Sequence, residues 1–227
     1  MQLLLVAATR QEITPFTEEN PAIDYLVTGV GIPATMYHLQ HKLVEKRYDF
    51  VIKAGIAGTY NEILEPGQLT IVKQDCFADL GMETGDLFTP LFEAGFTNRN
   101  ELPYTNGWLV NAAPWFELLR YPAVKGSTVN KVSDSRLQKT KVQELFSPDI
   151  ESMEGAAFHY VCLQEQIPFL QLRSISNAVG VRDKAQWHIK TAIQVLNTSL
   201  TSIVNQLSDL HLSGHFLSHA SKPFAQP

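Results

Sequence analysis

The sequence predicts an α/β fold, a single three-layer domain in which a central mixed β-sheet is flanked by helices. Short apolar runs typical of buried strands alternate along the chain with segments of helical spacing. Polar or glycine-rich clusters follow most of these strands, and such clusters are expected to gather at one edge of the sheet. No linker or internal repeat divides the chain. We therefore expect one domain over residues 1–210 and a C-terminal tail without periodicity over residues 211–227.

The predicted strands and helices cover most of this domain. Apolar runs predict strands over residues 2–8, 23–28, 49–54, 68–74, 123–129 and 168–172. Helical spacing predicts helices over residues 9–19, 33–47, 108–119, 133–146, 155–163 and 183–207. Ser133 or Asp134 is the expected N-cap of the fourth helix. Residues 77–107 have little periodicity and predict a long irregular excursion, a kind of segment that usually serves function or is mobile.

Composition excludes several classes of protein. With 227 residues, 44% of them apolar and 18% charged, the chain resembles an ordinary soluble globular domain. Its net charge of -5 gives no electrostatic footprint for nucleic acid. Two cysteines do not make a disulfide framework, and Cys162 lies on the apolar face of a predicted helix. No apolar run reaches the roughly 20 residues that span a bilayer, and the first residues lack a signal-peptide pattern. We therefore expect no membrane partner and a cytoplasmic location.

The first candidate functional residue is Glu12. Thr9-Arg10-Gln11-Glu12 is a T-x-x-E capping box, in which Glu12 would bind the backbone N–H of Thr9. Glu12 also stands just beyond the C-terminal end of the first predicted strand, where ligands bind in α/β folds. Both a capping role and a functional role therefore stay open for this residue.

The second candidate region joins the start of a helix to the end of a strand. Glu154 opens the helix that runs through Phe158, and a polar cluster, residues 173–177, follows the strand 168–172. Structural explanations exist for each half. A glutamate is favourable in the first turn of a helix, and Ser176 and Asn177 are ordinary turn formers. The combination is more specific than either half, because a helix N-terminus and a strand C-terminus would both present side chains that can bind a ligand.

Two glycine pairs follow predicted strands. Gly29 and Gly31 follow the second strand, and Gly55 and Gly58 follow the third. The third glycine of a dinucleotide-binding fingerprint is missing after Gly31. We therefore expect these glycines to permit a tight turn or a close approach of the backbone to a ligand.

Five segments, taken in order, resemble the nucleosidases and nucleoside phosphorylases of the phosphorylase/hydrolase-like fold. The resemblance covers most of residues 1–207. The segments are the first strand with Thr9–Glu12, the turn 28–31, the turn 54–58, the Ser152–Ala156 motif and the Arg173–Asn177 cluster.

This resemblance implies roles for individual residues. Glu12 matches the general base that activates the attacking water, and Glu154 matches the carboxylate that binds the ribose hydroxyls. Met153 would pack against the sugar, and Asn177 stands where methylthioadenosine nucleosidases carry an aspartate. Further substrate contacts implied by the resemblance are Ala57, Gly58, Val129, Asn130, Arg173 and Ser176. Gly31, Ile56 and Asp183 are weaker candidates, and Asp183 has the alternative role of a helix N-cap.

Two departures from the family pattern refine the expected chemistry. The amide of Asn177 offers a donor without changing protonation, so it suits N7 or O6 of a 6-oxopurine. This predicts hypoxanthine rather than adenine as the leaving base. Ile56 stands near a position where the family's phosphorylases place a phosphate-binding hydroxyl, and this predicts water rather than phosphate as the nucleophile. A milder departure is Ser152, which stands where the family often has a carboxylate.

The resemblance is strongest to members of the family that hydrolyse futalosine to hypoxanthine and dehypoxanthine futalosine on a route to menaquinone. It implies a small-molecule nucleoside substrate, no cofactor, no metal, and a homodimer or higher homo-oligomer. The alternatives are a methylthioadenosine or S-adenosylhomocysteine nucleosidase, a purine nucleoside phosphorylase, or a nucleoside-binding protein that has lost catalysis.

Overall fold

The computed structural model describes residues 1–113, 115–132, 135–181 and 183–212, which form alternating strands and helices. The strands are β1 (Leu3–Ala7), β2 (Asp24–Val27), β3 (Phe50–Thr59), β4 (Leu69–Asp75), β5 (Gly81–Thr84), β6 (Leu87–Pro90), β7 (Leu109–Val110), β8 (Ala123–Thr128), β9 (Ile150–Ser152) and β10 (Phe169–Ala178). The helices are α1 (Arg10–Glu19), α2 (Ile32–Glu45), α3 (Trp115–Leu118), α4 (Arg136–Phe146), α5 (Gly155–Gln164) and α6 (Ile189–Leu212).

Eight strands form one mixed sheet, which confirms the predicted fold class. The strand order is β10-β4-β8-β9-β3-β1-β2, and β7 pairs with β4. Strand β1 runs parallel to both β2 and β3, whereas β9 runs antiparallel to β3. Because β10 also pairs with β3 along nearly its whole length, the strands β3, β10, β4, β8 and β9 close into a ring of pairings. The ends of β3, β9 and β10 therefore meet at one place.

Helices cover both faces of the sheet and complete the three layers. On one face, Ile13 and Phe16 of α1 and Leu200 of α6 join the core formed by β1, β3 and β10. On the other face, Leu39 of α2 and Phe158 of α5 pack on the opposite sides of the same strands. Alternate residues of a strand point to opposite faces, so these strands are apolar along nearly their whole length.

Helix α6 shows why the sequence pattern predicts the core well. Its residues Leu196, Leu200, Ile203 and Leu207 recur at helical spacing, and each is fully buried against the sheet. Burying such a side chain contributes about 1.5–3 kcal/mol relative to leaving it exposed.

Two predicted strands are longer in the structure than in the prediction. Strand β3 continues through the glycine pair at Gly55 and Gly58, which we expected to be a turn. Strand β10 likewise includes the polar cluster 173–177, which we expected after its end. Both predictions relied on polarity or glycine content to end a strand. Here β3 and β10 stay paired with each other as far as Thr59 and Ala178, and this pairing outweighs the local signal.

Other boundaries also differ from the prediction. The predicted helix 108–119 contains a short strand, β7, and a single helical turn, α3, while residues 150–152 form a strand that the pattern did not predict. The irregular excursion contains the hairpin of β5 and β6. Helix α6 begins at Ile189, after a separate 3₁₀ turn over Lys184–Gln186. Ser135 caps α4 by accepting a hydrogen bond from Gln138, and the expected caps at 133 and 134 lie outside the described residues.

The C-terminal region is described only as far as residue 212. Residues 211 and 212 belong to α6, whereas the rest of the predicted tail, residues 213–227, lies outside the described part of the chain. The exact extent of the domain therefore stays a prediction. Within the described ranges, no helix combines the length and the apolar character needed to cross a membrane.

Candidate active site

A cavity of about 380 Å³ lies where the ends of β1, β3, β9 and β10 meet the first turns of α1 and α5. The carboxylates of Glu12, Glu151 and Glu154 line it together with the amide of Asn177. A larger hollow of about 870 Å³ runs along the outside of α1 and α6, but Glu19 is the one carboxylate among its described lining residues. The smaller cavity is therefore the candidate active site.

Glu12 is held by hydrogen bonds to both of its carboxylate oxygens. Oε2 accepts from the backbone N–H of Thr9 at 2.9 Å and from its hydroxyl at 3.1 Å, which confirms the predicted capping interaction. Oε1 accepts from the backbone N–H of Ile56 at 3.2 Å. Only 7% of Glu12 is exposed. The capping role and a place in the cavity are thus compatible, because the same carboxylate does both.

The backbone that carries Glu12 is fixed from α6. Pro15 lies inside α1 and has no N–H to donate to the preceding turn. The side chain of Asn197 binds two backbone groups of α1, one on each side of Pro15. Its Oδ1 accepts from Phe16 N–H at 2.9 Å, and its Nδ2 donates to the Glu12 carbonyl at 2.9 Å. Asn197 is buried, so these bonds are protected from water and fix α1 against α6.

Glu154 lies at the N-cap position of α5 but does not cap it with its side chain. Its Oε1 instead accepts from the backbone N–H of Gly31 at 3.1 Å, and its Oε2 lies 3.6 Å from Nη2 of Arg173. Gly31 has φ = 96°, a conformation that glycine adopts without strain. This conformation directs the backbone N–H of Gly31 at the carboxylate of Glu154.

Two buried cations lie beneath the carboxylates. Lys53 is 0% exposed and Arg173 is 1% exposed. Arg173 donates from Nη1 to the Ile56 carbonyl at 3.2 Å, while Nζ of Lys53 and Nε and Nη2 of Arg173 have no hydrogen-bond partner in the described residues. Burial lowers the pKa of Lys53 to about 8, against an attraction to Glu154 that raises it. Each of these two buried cations therefore lies near the negative charge of Glu154.

A buried aspartate positions the helix that follows Glu154. Asp75 is fully buried, and burial raises its pKa to about 6. Its Oδ1 accepts from the Thr128 hydroxyl at 2.9 Å, and the oxygen of that hydroxyl accepts from Ala156 N–H at 2.7 Å. A Cβ atom at Gly155 would lie 2.1 Å from Oδ2 of Asp75. The first turn of α5 can therefore approach this network only because residue 155 is glycine.

A bulge in β10 brings two consecutive side chains into the cavity. In a regular strand, neighbouring side chains point to opposite faces. Here Ile175 pairs with Ala57 and Asn177 pairs with Gly58, so Ser176 is an extra residue on β10. Bulges re-aim side chains in this way and are common beside active sites. As a result, Ser176 and Asn177 both line the cavity.

The hydrogen bonds of Asn177 fix the orientation of its amide. Its Oδ1 accepts from the Ser176 hydroxyl at 2.7 Å, and its Nδ2 donates to the Ala178 carbonyl at 2.9 Å. The assignment of oxygen and nitrogen follows from this network. Because an amide NH₂ has two hydrogens, one N–H of Asn177 remains to donate to a ligand.

This arrangement suits the cleavage of a bond that leaves a cation. Two carboxylates held in a buried site can attract positive charge that develops on a bound molecule, and one of them can accept a proton from water. An amide donor on the adjacent wall can bind a departing group that gains negative charge. Within the described ranges, no group of three or more histidines, cysteines or acidic residues is arranged to hold a metal ion.

The family model of the phosphorylase superfamily matches residues 22–208. The chain belongs to the phosphorylase superfamily. Among curated relatives in this superfamily, the futalosine hydrolase of Thermus thermophilus is 30% identical over 210 residues, which cover 85% of this chain and 91% of the relative. The futalosine hydrolase of Streptomyces coelicolor is 33% identical over 184 residues, which cover 78% of this chain and 76% of the relative.

A solved superfamily structure shows the same fold. It is a mutant methylthioadenosine/S-adenosylhomocysteine nucleosidase of Helicobacter pylori with 5′-methylthioadenosine in its active site. The TM-score is 0.78, with 16% identity over 90% of this chain and 98% of the other. The fold predicted from the sequence motifs is therefore that of the superfamily.

Most residues that the superfamily resemblance singled out lie together. Besides Glu12, Glu154 and Asn177, five of them line the cavity: Ile56, Ala57, Gly58, Met153 and Ser176. Arg173 and Gly31 do not line the cavity, but both contact Glu154, which does. Arg173 lies buried below Glu154, and Gly31 binds Glu154 through its backbone.

Three predicted site residues lie elsewhere. Val129 is fully buried in a neighbouring apolar cluster. Asn130 is exposed, and its backbone and side-chain N–H groups donate to the carboxylate of Asp79 at 2.6 and 3.1 Å. Asp183 is exposed and accepts from Ala185 N–H at 3.0 Å, which agrees with the alternative capping role for this residue, here on the 3₁₀ turn rather than on α6. None of the three lines the described cavity.

Sequence reasoning missed four polar residues that build the site. Lys53 was hidden in an apolar strand, Asp75 ended another strand, and Asn197 interrupted the apolar face of α6. Lys53 and Asn197 are polar residues at positions where the pattern demands an apolar one, and that mismatch was the available signal. Asp75 gave no such signal, because polar residues commonly end strands. Glu151 was seen only as a neighbour of Glu154 on a helix, whereas it lies on β9.

Lys53→Met should change how stability depends on pH. Because burial lowers the pKa of Lys53 from 10.5 to about 8, the unfolded chain binds more protons than the folded protein between these values. This group therefore makes the wild type gain stability as pH rises through that window, by roughly 3 kcal/mol in total. We expect the free energy of unfolding of Lys53→Met, relative to the wild type, to fall by roughly 2–3 kcal/mol between pH 7 and pH 10.

Urea unfolding at several pH values measures this difference directly. Lys73→Met is the matched control, because Lys73 is an exposed lysine on another strand of the same sheet, β4, and should show no such trend. A Lys53→Met difference that stays constant across the pH range would contradict a depressed pKa for the buried ammonium.

Proposed function

We propose that this chain hydrolyses the N-glycosidic bond of futalosine and releases hypoxanthine and dehypoxanthine futalosine, a step of menaquinone biosynthesis. The observation that carries the proposal is a single cavity that contains two hydrogen-bonded carboxylates, Glu12 and Glu154, and the amide of Asn177. The similarity of the chain to curated futalosine hydrolases supports it. The alternative of an adenine nucleoside as substrate is disfavoured by the amide at Asn177.

In this mechanism, Glu154 binds the ribose hydroxyls. Cleavage of a glycosidic bond passes through a sugar with oxocarbenium character, so positive charge develops on the ring. A carboxylate that is already fixed attracts this charge more strongly in the transition state than in the ground state. The Gly31 N–H and the Arg173 guanidinium hold Glu154 in place before the substrate arrives. Met153, adjacent in the chain and lining the cavity, would contact the apolar face of the sugar.

Glu12 acts as the general base for the attacking water. A water that adds to the cationic sugar becomes much more acidic, and a positioned carboxylate can accept its proton. Both oxygens of Glu12 bind N–H groups, yet each carboxylate oxygen has two lone pairs, so acceptor capacity remains. Water rather than phosphate is the proposed nucleophile, because Ile56 offers the cavity no hydroxyl and no basic side chain lines it in the described residues.

Asn177 binds the leaving base. As the glycosidic bond breaks, the base gains negative charge near N7, and an N–H donor stabilises it there. The same amide can donate to O6 of a 6-oxopurine, whereas an ionised aspartate would repel that oxygen. Ser176 holds the amide in the orientation that leaves an N–H free. Homo-oligomeric assembly and cytoplasmic location stay predictions that rest on the resemblance and the composition.

The proposal is tested by base release from futalosine, inosine and 5′-methylthioadenosine in parallel, with and without phosphate. Chromatography should find hypoxanthine from futalosine at a rate that phosphate does not change. Adenine released faster from methylthioadenosine would overturn the assignment of the base, and a rate that requires phosphate would overturn the assignment of the nucleophile.

Glu12→Gln and Glu154→Gln should each reduce kcat/KM for futalosine by at least about 100-fold. Glutamine keeps the size and most hydrogen bonds of each side chain but removes the negative charge. Steady-state kinetics measures the loss, and circular dichroism should show an unchanged fold. Glu19→Gln is the control, because Glu19 is an exposed residue of α1 outside the cavity. A Glu12→Gln protein with wild-type activity would reduce Glu12 to its capping interaction.

Asn177→Asp should weaken the preference for a 6-oxopurine. The substitution keeps the shape of the side chain but replaces an N–H donor with a charged acceptor facing O6. We expect the ratio of kcat/KM for futalosine to that for its 6-amino analogue to fall at least about tenfold, which corresponds to about 1.4 kcal/mol. An unchanged ratio would show that Asn177 does not discriminate between the two bases.

A further inference from the structure

One charged group of the proposed substrate has no partner in the mechanism described above. Futalosine carries an aromatic carboxylate on the 5′ side of its ribose, remote from the glycosidic bond. A carboxylate that leaves water without a counter-charge or hydrogen-bond donors loses free energy. Among the described residues that line the cavity, there is no lysine, arginine or histidine. A side-chain cation that pairs with this carboxylate would therefore lie outside the cavity.

The larger hollow along the outside of α1 and α6 adjoins the cavity, and we refer to it as the α1–α6 groove. Gln11 of α1 and Ile193 of α6 line both the cavity and the groove. The groove has a volume of about 870 Å³, against about 380 Å³ for the cavity. A substituent that leaves the cavity past Gln11 and Ile193 therefore enters a space large enough for an aromatic ring.

Lys190 is the one basic residue among the described residues that line this groove. It lies three positions before Ile193, so the two side chains share a face of α6 at the end of the groove next to the cavity. The acidic lining residue, Glu19, lies at the other end of α1, roughly 12 Å along the helix axis from Gln11. An anion near Gln11 is therefore closer to the cation than to the carboxylate.

The side chains around Lys190 suit an aromatic carboxylate. Pro15 and Ile193 give the groove apolar surface on which a ring can pack. Gln194 lies one helical turn after Lys190, and Gln11 faces it from α1 across the groove. The amide groups of both glutamines can donate hydrogen bonds to carboxylate oxygens. The groove thus offers an apolar surface, one cation and two amide donors within one helical turn of the cavity.

Lys190 is also free to bind a ligand, whereas two exposed arginines are already engaged. It forms no ion pair within the described ranges of the chain. The guanidinium of Arg10 donates to the Tyr25 hydroxyl and lies 4.5 Å from the centre of that ring. Arg99 pairs with Glu93 at 2.7 Å. Neither arginine lines the cavity or the groove.

We propose that the α1–α6 groove is a subsite for the aromatic 5′ substituent of the substrate, and that Lys190 is the specificity-determining residue that pairs with its carboxylate. This assignment rests on the proposed function for the identity of the substrate. A nucleoside with its base at Asn177 and its hydroxyls at Glu154 has its 5′ substituent on the side away from the base, and here that substituent passes Gln11 and Ile193. Binding energy from such a remote group can be used at the reacting bond, so its loss lowers kcat/KM.

Lys190→Gln tests this assignment with futalosine and its methyl ester as paired substrates. The ester keeps the ring but removes the negative charge, and glutamine removes the positive charge from residue 190. We expect the ratio of kcat/KM for the acid to that for the ester to fall roughly fivefold. Lys190→Glu should lower the ratio further, because like charges repel, whereas Lys190→Arg should keep most of it.

Lys125→Gln is the matched control, because Lys125 is an exposed lysine of β8 that lines neither the cavity nor the groove. It should leave the ratio unchanged. A ratio in Lys190→Gln within twofold of the wild-type value would overturn the assignment, and so would a wild type that does not distinguish the acid from the ester. A purely structural effect of the substitution would lower both rates in parallel and leave the ratio in place.

Calorimetric binding separates this assignment from the proposed function. A wild type that cleaves neither compound would contradict the proposed function, and both compounds can then be titrated into the protein without turnover. Tighter wild-type binding of the acid than of the ester, with that difference lost in Lys190→Gln, supports the subsite. Equal wild-type binding of the acid and the ester overturns it.

Discussion

The candidate site depends on backbone N–H groups that bind the carboxylates of Glu12 and Glu154 from other segments of the chain. Glu12 is bound from the far end of β3 through Ile56, and Glu154 is bound from the start of α2 through Gly31. Neither carboxylate is held by its own helix alone. Because a buried charge is unfavourable without partners, the folding of β3 and α2 into place is what makes both carboxylates tolerable. The contacts that complete the fold are therefore also the contacts that form the site.

The cations below the carboxylates follow from the same constraint. Lys53 and Arg173 lie on neighbouring strands, and their burial removes them from water together with Glu154. A buried ion pair contributes little net stability, so its presence here is better explained by the chemistry above it than by the core. Asp75 is a further buried charge, and through Thr128 it fixes the first turn of α5, which directly follows Met153 and Glu154.

Much of the fold and of the candidate site could be predicted from the sequence. The predictions that failed share a cause, which is pairing between segments far apart in the chain. The layers and most elements follow from apolar periodicity, and five short motifs point to the cavity residues Glu12, Glu154 and Asn177. The bulge at Ser176 could not be predicted, because it depends on pairing between β10 and β3, which are far apart in the chain. The same holds for Asn197, which lies 182 positions after Pro15 in the chain but hydrogen-bonds the backbone of α1 on both sides of that proline. Strand ends at Gly58 and Asn177 were misjudged because polar and glycine residues normally end strands, whereas here they line a cavity.

The central claim is that Glu12 activates water to displace hypoxanthine from the sugar. Turnover of futalosine in ¹⁸O-labelled water, with phosphate present, tests it most directly by mass spectrometry of both products. We predict one ¹⁸O atom at C1 of the sugar product, none in hypoxanthine, and loss of the labelled product in Glu12→Gln. An unlabelled sugar 1-phosphate, or full labelling in Glu12→Gln at the wild-type rate, would contradict the claim.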